Sequence, residues 1–84
     1  MSDLSITEIK KQIVHVIVKI SGMDKDGIDH DKNLFTELGI DSIKAIELIV
    51  TVQEKFGIRV DDSRIETLTS VSLIAKEIKR LLGK

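Results

Sequence analysis

Leu38-Gly39-Ile40-Asp41-Ser42-Ile43, continued by Lys44 through Phe56 and closed by Gly57, is the stretch on which the fold turns. It reads as a glycine-led turn, a capping aspartate and then a helix of about residues 42–56. Asp41 suits the N-cap, because its carboxylate accepts hydrogen bonds from the first free backbone N–H groups. Ser42 falls in the first turn, where unpaired N–H groups and the positive end of the helix dipole favour a negative group. A phosphate ester on Ser42 would therefore face donors and leave its far end in water. On a helical wheel Ala45, Leu48, Ile49, Val52 and Phe56 gather on one side, the core side. Lys44, Glu47, Thr51 and Glu54 gather opposite. Ile43 and Val50 fall beside Glu47 and Glu54 on the polar face, and Ile46 lies at the edge. Apolar residues set among charges fit a docking surface, although single surface aliphatics are also ordinary.

The remainder of the chain also reads as helix. Ser5 and Glu8 form a capping box. Ile6, Ile9, Ile13, Val16, Ile17 and Ile20 then recur at helical steps up to Gly22. So many β-branched residues lower intrinsic helix propensity, so this helix depends on tertiary burial. Residues 23–41 make a long connection, expected to be pinned by Met23, Ile28, Leu34, Phe35 and Leu38, with a helical turn around residues 32–36. Asp62 is expected to cap a short third helix through about Glu66, with Ile65 and Leu68 inward. Thr69 is expected to cap the last helix, with Val71, Ile74, Ala75, Ile78, Leu81 and Leu82 as its buried stripe. Lys79 and Arg80 complement its C-terminal dipole. The expectation is an all-α protein: a small four-helix bundle with a long first connection and a short third helix, one domain over residues 1–84.

Composition narrows the function. The 84 residues hold 13 basic and 14 acidic side chains, a net charge of -1, which argues against a nucleic-acid partner. Apolar runs such as Val16-Ile17-Val18 are too short for membrane insertion. No basic-then-apolar secretory segment is read at the N-terminus, so a cytoplasmic protein is expected. With 42% hydrophobic and 32% charged residues the chain reads as ordered, large enough for one core but not for a buried catalytic cleft.

The Leu38-Gly39-Ile40-Asp41-Ser42-Ile43 motif, followed by Glu47-Leu48, resembles the attachment motif of acyl carrier proteins. Phe56-Gly57-Ile58, the pair Asp61-Asp62 and the final helix opening at Thr69 extend the resemblance over nearly the whole chain. It implies that Ser42 carries phosphopantetheine, derived from coenzyme A, whose thiol holds an acyl group as a thioester. The chain has no cysteine, so any such thiol must come from a prosthetic group. The resemblance further implies that Asp41 helps a phosphopantetheinyl transferase recognise the helix start. Partners would then be that transferase and acyl-loading, condensing or acyl-transfer enzymes of fatty-acid, polyketide or related biosynthesis, met by a monomeric carrier that is not itself an enzyme. Ile43, Lys44, Glu47, Val50 and Glu54 are the candidate partner-binding residues. Lys44 stands where fatty-acid-synthesis carriers usually have an acid, and Lys55 offsets Glu54. That weakens steering toward basic partners and suggests a specialised carrier.

Other chemistries fit less well. Ser42 with His15 or His30 and an aspartate would need an oxyanion site and a substrate pocket, which a small bundle lacks. Asp24, Asp26, Asp29 and Asp31 fail the EF-hand pattern in both registers, since neither places Gly at position six nor Glu at twelve. The histidines lack zinc-ligand spacing, so no metal site is expected. The competing reading is a non-catalytic helical interaction domain regulated by phosphorylation of an exposed serine.

Overall fold

The computed structural model describes residues 5–83; the expected domain of residues 1–84 therefore includes termini outside the described residues. Four α-helices and no strand occur among the described residues: α1 Ile6–Ser21, α2 Ser42–Phe56, α3 Asp62–Ile65 and α4 Val71–Leu82. α1 packs against both α2 and α4. Its side of the core is Ile9, Ile13, Val14, Val16 and Ile17; of the expected stripe, Ile6 and Ile20 pack only at the core margin, and Val14 is an addition to it. Ser5 caps it by accepting from the Glu8 N–H at 3.1 Å, and Gly22 ends it in the left-handed region.

The long connection is bonded to the core rather than looping free. Ile28, Leu34 and Ile40 are buried, with Met23 and Leu38 packed against the core margin. A 3-10 turn at Lys25–Gly27, capped by Asp24, adds to the connection an element that the apolar periodicity does not mark. The expected turn near residues 32–36 lies instead at residues 34–37, where Asn33 Oδ1 accepts from the Phe35 and Thr36 N–H groups. That register also corrects Phe35, which is exposed: Leu34 and Leu38, four residues apart, share the inward side, and Phe35 points away from it. Farther along, the Leu34 N–H donates to Thr69 O at 2.7 Å. The Ser72 N–H donates to His30 O at 2.9 Å, and Ser72 Oγ to Asp31 Oδ1 at 2.6 Å. The connection is thereby fastened to the start of α4.

Three further expectations change. Asp61, not Asp62, caps α3, its carboxylate accepting from both the N–H and the hydroxyl of Ser63; those bonds hold its pKa below the usual carboxylate value. Ser70, not Thr69, caps α4 through the Leu73 N–H, while the Thr69 carbonyl is already engaged by Leu34. Leu82 is exposed while its neighbour Leu81 packs at the core margin, and Val71, Ile74, Ala75 and Ile78 are buried as expected.

α4 also buries an acid that the periodicity does not mark. Glu77 is only 4% exposed. It receives Arg80 through both carboxylate oxygens, at 3.2 and 2.7 Å, and Arg64 Nε at 3.0 Å. The Arg80 guanidinium, joined by Arg64, holds the Glu77 carboxyl below its ordinary range against the opposing effect of burial.

Candidate attachment site

The site is built by one anchored residue and one cap. Ile40 is buried, and its N–H donates to Leu34 O at 2.8 Å, so the chain is fixed to the core just before the helix. Gly39 precedes it at φ 73°, a left-handed conformation that side-chain-bearing residues rarely adopt. Asp41 is extended, and its Oδ1 accepts from the Lys44 N–H at 2.9 Å while its carbonyl accepts from Ala45. Ser42 is then the first helical residue, exposed to solvent. With Lys44 and Ala45 satisfied, the Ser42 and Ile43 N–H groups remain the donors that a helix start leaves without intrahelical partners. An esterified phosphate on Ser42 would meet those donors and the positive end of α2.

The histidines stand elsewhere. His15 and His30 share a groove floored by Val14, Val18 and Met23, which Ser42 does not line. The loop aspartates make local bonds: Asp24 accepts from the Asp26 N–H, Asp29 from the Asp31 N–H, and Asp31 from Ser72. No cluster suited to a metal ion occurs among the described residues.

Along α2, Leu48, Ile49 and Val52 are buried and Ala45 and Phe56 pack at the core margin. Ile43 is 74% exposed, Ile46 60% and Val50 45%, so Ile46 joins the apolar row more fully than an edge position implies. Glu47 and Glu54 are exposed beside them. Lys44 behaves differently. It is half-buried, and its ammonium donates to Ile20 O, at the C-terminal end of α1, at 3.2 Å. Two contacts of α2 side chains have no mark in the helical pattern: this one, and Gln53 Oε1 accepting from the Val60 N–H at 2.7 Å beyond the end of the helix.

A helical bundle that fixes a capped, solvent-facing serine, with an aliphatic row beside it, is built to present something attached rather than to enclose a substrate. The model of a family described as phosphopantetheine attachment site matches residues 11–78. The acyl carrier protein of Akkermansia muciniphila is 34% identical over 83 residues, covering 99% of this chain and all of that one. That of Chloroherpeton thalassium is 34% identical over 68 residues, covering 81% and 85%. Two solved structures share the fold. The acyl carrier protein from Enterococcus faecalis (TM-score 0.77, 19% identity) covers 93% of this chain and 99% of its own. The HMG-ACPI domain of the CurA module from Lyngbya majuscula (TM-score 0.83, 18% identity) covers 98% and 82%. The chain belongs to the acyl carrier protein family. It is a carrier, not an enzyme; its cofactor is phosphopantetheine, and it works with a phosphopantetheinyl transferase and with biosynthetic enzymes. The exposed hydroxyl and open helix start at Ser42 fit that group.

Proposed function

We propose that Ser42 is the attachment residue and that residues 1–84 act as one monomeric carrier domain in the cytoplasm. The observation that carries this reading is the position of Ser42: exposed, first in α2, directly after the Asp41 cap. Within the transferase, Ser42 Oγ attacks the pyrophosphate of coenzyme A, a phosphodiester forms and the adenosine bisphosphate leaves. Asp41 holds the helix start in shape and is part of what the transferase recognises. The thiol of the arm carries the acyl group as a thioester. The protein lowers no chemical barrier; it makes delivery to partner sites local, an effective-concentration effect.

Ile43, Glu47, Val50 and Glu54 form the surface offered to acyl-loading, condensing or acyl-transfer enzymes, with Lys44 at its margin. A nearly balanced charge favours dedicated partners of a specialised fatty-acid, polyketide or related pathway over generic basic ones. The test is intact mass after incubation with coenzyme A and a phosphopantetheinyl transferase. Wild type should gain one phosphopantetheine, and Ser42→Ala none, with its melting temperature nearly unchanged. Asp41→Ala should be modified more slowly and lose about 1 kcal/mol of stability, as for a typical N-cap. An adduct on Ser42→Ala would exclude Ser42. No adduct on wild type would favour the interaction-domain reading instead.

A further inference from the structure

The outward side of α1 carries one sign of charge. Between Glu8 and Asp24 the sequence has Lys10, Lys11, His15 and Lys19 and no acid. Lys11, His15 and Lys19 recur at four-residue steps and form an exposed row along the helix. α2 lies beside that row with the opposite sign. A groove of about 600 Å³ runs along the junction of the two helices, with His15 and Lys19 on its α1 wall and Glu47, Thr51, Glu54 and Lys55 lining it from α2. The charges do not close on each other. Among the described residues Lys19, Glu47, Glu54 and Lys55 make no ion pair, whereas Arg64 and Arg80 both close on Glu77, and all four of the groove charges are exposed. Lys19 and Lys55 stand in the last turns of their helices, where a cation complements the dipole. That role calls for no row of acids alongside.

The groove is continuous with the exposed side of α2. Ser42 and Thr51 fall on opposite sides of the α2 wheel, and Ile46, Val50, Ile43, Glu54 and Glu47 follow in that order between them. An enzyme that holds α2 while reaching Ser42 therefore has the stripe at its centre and the groove at its far flank. A standard specific interface covers about 800 Å² on each partner, more than a single helical stripe supplies. From this geometry we infer that the α1–α2 groove is the second half of the phosphopantetheinyl transferase interface, fitted to a transferase that sets a base against Glu47 and Glu54 and a carboxylate against Lys19 and Lys55. A partner surface of one sign meets repulsion from one side of this groove, whichever sign it carries, so the groove selects as well as attracts. The inference rests on the reading of α2 as the docking face and of Ser42 as the attachment residue.

Steady-state transfer from coenzyme A to the full apo chain, by the transferase of the same host, tests it. At low salt Lys19→Gln should raise KM about threefold, the size of one exposed charge pair, with kcat and melting temperature nearly unchanged. Lys55→Gln should act in the same way. Lys19→Glu should raise KM about tenfold, since repulsion replaces attraction, and all three effects should fade as salt rises. The double variant Lys19→Glu with Glu47→Lys keeps the net charge but reverses the polarity of the groove, and should lose at least as much as Lys19→Glu. Ile43→Ala in the same assay separates the two readings. A loss in Ile43→Ala beside a wild-type KM in the Lys19 and Lys55 variants would overturn the groove and leave α2 as the docking face. Wild-type efficiency in every variant would remove α2 as well. A double variant as good as wild type would mean that net charge alone counts, and a loss confined to kcat would mean that the groove binds nothing; either overturns the inference.

Discussion

Lys44 Nζ donates to Ile20 O at 3.2 Å, joining the first turn of α2 to the last turn of α1. The C-terminal carbonyls of a helix lack intrahelical partners and carry the negative end of the dipole, so a cation there is favourable. Lys44 is thus a cap supplied by one helix to another, two residues beyond the proposed attachment serine. Charge counting along the sequence presents Lys44 as a specificity residue facing partners; its geometry gives it a structural task. Lys44→Met should cost about 1 kcal/mol, the usual net value of such a bond. Lys44→Glu should cost more, since it sets a carboxylate against a helix C-terminus. Urea denaturation measures both, and two unchanged midpoints would show that the tie contributes nothing.

Burial, not side-chain size, sets the ranking of core truncations. Phe56 is the larger side chain, but it lies at the core margin, half-buried, whereas Ile78 is fully enclosed. Ile78→Ala should cost about 3–4 kcal/mol through lost transfer energy and a cavity, and Phe56→Ala only about 2 kcal/mol. Denaturation midpoints in the opposite order would mean that the end of α2 packs more deeply than its exposure indicates.

What could be read from the sequence followed the range of the interactions responsible. α2 was legible over residues 42–56 because its cap, apolar stripe and terminating glycine are local signals, and the structure keeps those bounds. Caps were harder where two competent residues adjoin. Asp61 and Asp62 are chemically equivalent candidates, and Thr69 is displaced by Ser70 because its carbonyl serves Leu34 from across the fold. Phe35 looked like an anchor by size, yet the turn that Asn33 caps sends it outward. Glu77 carries no local mark of burial, although Arg80 three residues on supplies half of its explanation. At the site, Asp41 and Ser42 were legible from helix-start chemistry, whereas the Lys44 tie spans distant residues and has no local signature.

Glu77 should govern part of the acid response. Its arginine partners lower its folded-state pKa from the ordinary 4.5. A carboxylate lowered on folding stabilises the protein above its unfolded pKa, and that contribution is lost as pH falls through the folded value. Stability attributable to Glu77 should therefore be constant from pH 7 down to about 5 and decline below about 4.5. Glu77→Gln should be less stable at pH 7 and show a shallower decline in acid. Parallel curves for the two proteins from pH 6 to 3 would rule out this contribution.

The exposed side of α2 makes the most direct functional prediction. Ile43, Glu47, Val50 and Glu54 follow one another at helical steps, alternating aliphatic and acidic, with Ile46 alongside. If this stripe is the docking surface, its aliphatic members should contribute through burial and its acids through the encounter rate. Removing the Ile43 side chain beyond Cβ should lower the catalytic efficiency of phosphopantetheinyl transfer about tenfold, at any salt concentration, consistent with one apolar anchor. Glu47→Gln should have a smaller effect that fades as salt rises, because charges that act before contact are screened. Lys44→Met should leave transfer nearly unchanged under conditions where it is fully folded, since that ammonium is already engaged by α1. Equal efficiencies for wild type and Ile43→Ala would remove this stripe from the transferase interface. A large, salt-dependent effect of Lys44→Met on a folded protein would return Lys44 to the docking surface.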